Sequence, residues 1–89
     1  MLFRLYIGSN NETHKLEAKK AVSIVASKFE GLTVIPSTGY WKGQPEKSMV
    51  IEVETQDKAK VLEVAGILRI ELKQQAIGLS ESQGMQFIS

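Results

Sequence analysis

Residues 32–55 read LTVIPSTGYWKGQPEKSMVIEVET, and the fold turns on how this stretch is read. Met49, Ile51 and Val53 alternate with Val50, Glu52 and Glu54. A period of two with β-branched residues marks a strand with one face buried. The run Leu32 to Trp41 carries Thr, Val, Ile, Tyr and Trp, the residues that suit a pleated surface, and forms the partner strand. Between the two lies Lys42-Gly43-Gln44-Pro45-Glu46-Lys47, which reads as the turn. Gly43 supplies a positive φ there, and Pro45 has no N–H to give a ladder.

Moving toward the start, Leu2 to Ile7 alternates as well, with Phe3, Leu5 and Ile7 on one face and Leu2, Arg4 and Tyr6 on the other. Gly8-Ser9-Asn10-Asn11 stops that strand with turn and helix-cap residues. A helix is expected from about residue 12 to 29. Ala18, Ala21, Val22, Val25 and Phe29 make one stripe of a 3.6-residue period, and Gly31 stands where a left-handed closing residue belongs. Lys15, Lys19, Lys20 and Lys28 give it a basic outer face, which reads first as solvated surface.

Moving toward the end, Thr55 is placed to cap a second helix running to about Gln75 or Ile77, with Gly78 to close it. Val61, Ala65, Leu68 and Leu72 form its stripe, but Leu62, Val64, Ile67 and Ile70 are apolar too. Such a helix is greasier than one lying on a single sheet requires, which points to deep cover or to a second subunit. Ser80 to Gly84 reads as a polar loop and Met85 to Ile88 as a short edge strand. The order β-α-β-β-α-β predicts an α+β chain. It is a single ferredoxin-like domain over residues 1–89, a four-stranded antiparallel sheet with two helices on one face. The other sheet face keeps some apolar side chains and is a candidate association surface.

Composition bounds the function. The chain has 89 residues, eleven Lys and Arg against ten Asp and Glu, a net charge of +1 and no cysteine. A core of this size is modest, so self-association is a natural supplement. The balanced charge is no footprint for nucleic acid. Without cysteine there is no disulfide framework, thiolate metal site or cysteine nucleophile. Arg4 interrupts the apolar start, so neither a signal peptide nor a membrane span is read, and a cytoplasmic location is expected.

Candidate chemistry is sparse. His14 is the one histidine, and a lone histidine needs carboxylate help to hold a metal. No nucleotide-binding glycine-lysine loop and no Ser-His-Asp set is found. Arg4, Tyr6, His14 and Glu52 are the only acid–base candidates that assemble, and no metal or cofactor is expected. Tyr40-Trp41, flanked by Lys42 and Lys47, is the most distinctive feature. Neighbours in a strand point to opposite faces, so one ring is expected in the core and the other outside.

Ile35-Pro36, Tyr40-Trp41-Lys42-Gly43, Glu46 and Met49 to Thr55 together resemble the central hairpin of CutA proteins, which group with the PII signalling proteins. The resemblance implies a homo-trimer whose sheets pack around a threefold axis, with small ligands or metals held in clefts between subunits. It also implies that residues 38–48 stand where PII proteins have the loop that touches their targets, and that residues 78–84 stand near their phosphate-contacting loop. That last stretch has no Lys or Arg here.

The expected function is therefore a non-enzymatic, oligomeric regulatory or interaction protein, binding a protein partner or a small metabolite. Its contact residues would be Tyr40, Trp41, Lys42, Gln44 and Lys47, an aromatic anchor within a polar rim. The alternatives are a small-metabolite enzyme of dimeric α/β-barrel type, or a virus-encoded inhibitor with no small ligand.

Overall fold

The computed structural model describes residues 1–81 and 84–88. Its elements are β1 (Leu2–Ile7), α1 (Ala18–Ala26), β2 (Thr33–Trp41), β3 (Gln44–Glu54), α2 (Lys58–Glu71), β4 (Ile77–Glu81) and β5 (Gly84–Ile88). One antiparallel sheet carries the strands in the order β2-β3-β1-β4-β5. The strands β2-β3-β1-β4 and the two helices make the expected ferredoxin-like α+β arrangement, and β5 extends the sheet beyond it.

Alternation decides which face is covered. Phe3, Leu5 and Ile7 sit opposite Val53, Ile51 and Met49 in register, and all six are buried with Ile77 and Leu79 of β4. Ala21, Val25 and Phe29, and Val61, Val64, Ala65, Leu68 and Leu72, close over them in one cluster. Both helices therefore lie on that one face. Each fully buried Val or Leu there contributes about 1.5–3 kcal/mol of transfer free energy. The surplus apolar residues of α2 are largely absorbed: Leu62 packs against the core, and only Ile70, at 65% exposure, stands in solvent.

Several boundaries differ from the sequence reading. The first helix does not begin at residue 12. Asn10 caps only a single turn, its Oδ1 accepting from the N–H groups of Glu12 (2.7 Å) and Thr13 (3.1 Å). His14, at φ 60°, then breaks that turn, and α1 starts at Ala18. Gly31 does not close α1, whose last turn ends at Ser27 with no left-handed residue. Asp57 rather than Thr55 caps α2, accepting from Lys60 N–H at 3.0 Å, while the Thr55 hydroxyl accepts from Asp57 N–H at 3.1 Å.

The largest difference lies after α2. The helix stops at Glu71 because Lys73 takes the left-handed conformation, φ 53°. Gln74 N–H then reaches Arg69 O (2.9 Å) and Lys73 N–H reaches Ile70 O (3.3 Å), the paired bonds of a Schellman closure. Glycine usually fills that place, so the lysine hid the end of the helix. Gly78, read as the stop, instead sits inside β4 opposite Tyr6. The expected loop from Ser80 to Gly84 is the end of β4 and the start of β5, apart from Ser82 and Gln83, which lie outside the described residues.

Candidate functional site

The site is built on an arm. β1 gives out at the pair Ile7↔Met49, but the β2–β3 ladder runs on through Ser37↔Ser48, Thr38↔Lys47, Gly39↔Glu46, Tyr40↔Pro45 and Trp41↔Gln44. The turn is only Lys42-Gly43, both at positive φ (51° and 76°), the pattern of a two-residue type I′ hairpin. The sequence reading of a six-residue turn is therefore too long: Gln44 to Lys47 already belong to β3.

The short turn fixes which backbone groups face where. Trp41 and Gln44 flank it and face each other's N–H and C=O groups, so alternate pairs back from them do the same. Pro36 and Pro45 fall on the intervening positions, where the missing N–H costs no ladder bond. The other side of β3 agrees: Thr55 N–H donates to Met1 O, and Lys47 O is free to accept from Ser9 Oγ.

The facing wall is the segment between β1 and α1. Ser9 and Asn10 are its two buried polar residues. Ser9 Oγ donates to Lys47 O at 2.8 Å, tying the segment to the arm. Asn10 N–H donates to Lys15 O (2.8 Å), His14 N–H donates to Asn10 O (2.7 Å), and Asn10 Nδ2 reaches Glu17 Oε2 (3.2 Å). Gln74, from the closure of α2, braces it from behind. Its Oε1 accepts from Gly8 N–H (3.2 Å), and its Nε2 donates to Gly8 O and Ser9 O (3.0 Å each).

Between arm and segment lies an open cleft of about 1040 Å³, lined by His14, Lys15, Leu16, Trp41, Lys42, Gln44, Pro45, Glu46 and Lys47. Three lysines against one carboxylate favour an anionic group, the indole offers a face for a flat ring, and Glu46 can take a cation. Lys42 Nζ lies 5.9 Å from the Trp41 ring centroid.

Trp41, Lys42, Gln44 and Lys47, four of the five contact residues named from sequence, meet in this cleft. Tyr40 does not. Neither ring of the pair enters the core: Tyr40 is 72% and Trp41 65% exposed, because the arm has outrun the helices. Ser9, Asn10, Lys15, Glu46 and Gln74 were missed as site-building residues. Asn10 had a signal, as a cap residue after a strand, while Gln74 had none because its bonds span the chain.

Of the acid–base candidates drawn from sequence, Arg4, Tyr6 and Glu52 share the open sheet face and His14 stands apart from them. Arg4 and Glu52 pair across strands on the open sheet face (2.5 Å), and Tyr6 OH stands 3.3 Å from Ser80 Oγ. His14 lies instead in the cleft. Among the described residues no group of three or more His, Asp or Glu is placed to hold a metal. No helix among them is long and apolar enough to cross a membrane.

No family model matches the chain, and no curated protein does. Among solved structures, a phage SAM lyase in its apo state is similar: TM-score 0.68 at 19% identity, over 97% of this chain and 78% of that one. At that identity the likeness speaks for a shared fold.

Proposed function

We propose that the cleft between the arm and the segment after β1 binds a small metabolite with a flat ring, an anionic group and a cationic centre, and that S-adenosylmethionine is the first to try. The observation that carries this reading is the meeting of Trp41, Lys15, Lys42, Lys47 and Glu46 around one hollow. The adenine ring would stack on Trp41, the carboxylate would face the lysines, and the sulfonium and ammonium groups would face Glu46 and the indole. The similar fold of a SAM lyase supports the choice of ligand.

Thermal unfolding with S-adenosylmethionine, adenosine and methionine tests it. Ligand at a hundred times its Kd stabilises by about 2.7 kcal/mol, and Trp41→Ala should remove the shift. No shift at millimolar ligand with any of the three rejects the reading. Chromatography of the same mixtures is the second readout: a lyase consumes the compound, whereas a binding protein leaves it intact.

The exposure of two adjacent rings, Tyr40 and Trp41, favours a second reading in which the arm anchors a protein partner. Trp41→Ala with Lys42→Ala should then abolish partner recovery in a pull-down, and unchanged recovery with an intact fold rejects the arm as the contact.

A further inference from the structure

β2 stands at one end of the sheet, and among the described residues no strand lies beside its outer edge. The strand is 9 residues long and carries no charge. Edge strands are ordinarily blunted by charge, cover or brevity. This one has apolar side chains in solvent on both sheet faces: Val34 (40% exposed) and Tyr40 (72%) on the helix side, Ile35 (40%) and Trp41 (65%) on the open side. The ladder geometry shows which backbone groups point outward. Thr33, Ile35, Ser37, Gly39 and Trp41 bond toward β3, so Val34, Pro36, Thr38 and Tyr40 face the free side.

We propose that a second copy of this chain pairs with the outer edge of β2, antiparallel, about a twofold axis at Ser37. The register follows from the outward groups. With Ser37 on the axis, Val34 N–H donates to Tyr40 O of the second copy, Tyr40 N–H to Val34 O, and Thr38 N–H to Pro36 O. All three outward donors of each copy are used. Centring on Thr38 or on Gly39 leaves Val34 without a strand partner, and centring on Pro36 leaves Tyr40 without one.

The side chains agree with this register. Val34 faces Tyr40 on the helix side. On the open side Ile35 faces Gly39, whose lack of a side chain leaves room for it. An uncharged strand meets its own copy without repulsion and has nothing that would select a charged peptide. The missing N–H of Pro36 weakens the pairing without forbidding it, since its carbonyl still accepts.

The absence of native cysteine makes the test clean. In this register Ser37 faces its own copy in a non-hydrogen-bonded pair, with Cα atoms about 4.5 Å apart, within disulfide range. S37C should form a disulfide-linked dimer under mild oxidation, and native mass should show two copies of the unmodified chain. Pro36→Val restores one outward donor per copy and should tighten the dimer at least about tenfold. Thr38→Pro removes an outward donor while sparing the β2–β3 ladder, and should weaken the dimer at least about tenfold. A monomer, a three-copy mass, crosslinking of G39C in place of S37C, or a dimer indifferent to both edge substitutions overturns the proposal.

Discussion

Gln74→Ala should cost more stability than any other single change at a half-buried polar side chain among the described residues. The side chain closes a bidentate contact with Gly8, N–H to Oε1 at 3.2 Å and Nε2 to O at 3.0 Å, and makes a third bond to Ser9 O at 3.0 Å. At 0.5–1.5 kcal/mol net for each bond the three together are worth roughly 1.5–4.5 kcal/mol. Water reaches a half-buried site and recovers part of this, so about 2 kcal/mol is expected. For a domain of this length that is about 10 °C in Tm. Urea unfolding followed by circular dichroism, at fixed protein concentration, measures the loss. Amide exchange at Gly8, whose N–H the Gln74 side chain holds, should accelerate more than exchange in β4. A loss below about 0.5 kcal/mol, or exchange unchanged at Gly8, would show that Gln74 does not brace the segment and that the cleft wall stands without it.

Three further outcomes follow from the same structure. Leu79→Ala empties a fully buried site in β4 and should destabilise by about 2–5 kcal/mol in urea titrations; a surface loop at this position would lose almost nothing. Asp57→Ala removes the cap that holds Lys60 N–H and should cost about 1 kcal/mol by thermal unfolding. Lys42→Asn relieves the first left-handed position of the type I′ turn and should stabilise by about 0.5–1 kcal/mol while weakening anion binding in the cleft. Loss of stability in that variant would contradict the turn assignment.

The legible parts of the fold were those written in local periodicity. The Met49-Ile51-Val53 face, the Phe3-Leu5-Ile7 face and the Val61-Ala65-Leu68-Leu72 stripe are all buried as their spacing required. What escaped was signalled by residues in uncommon roles. His14, Lys42 and Lys73 hold positive φ where Gly or Asn is usual, so a helix break and a helix end carry no mark and the turn at Lys42-Gly43 reads too long. Gly78, read as a terminator, is a strand residue facing Tyr6, and the alternation of Ile77 and Leu79 beside it spans too few residues to outweigh a glycine. At the site the adjacency of Trp41, Lys42, Gln44 and Lys47 was local and visible. The wall they face, with His14 and Lys15, is set by the Ser9 and Gln74 bonds, which link residues 38 and 65–66 positions apart.

The step at which β1 ends and the hairpin continues frees the arm's length from the constraints of the globular body. Adding or deleting one facing residue from each strand alters reach by about 3.3 Å and exchanges the sides on which Tyr40 and Trp41 point. Adding two from each restores the original handedness of display. Variants of this chain can thus tune how far the indole projects in steps of about 7 Å, and no buried side chain beneath the helices is asked to move.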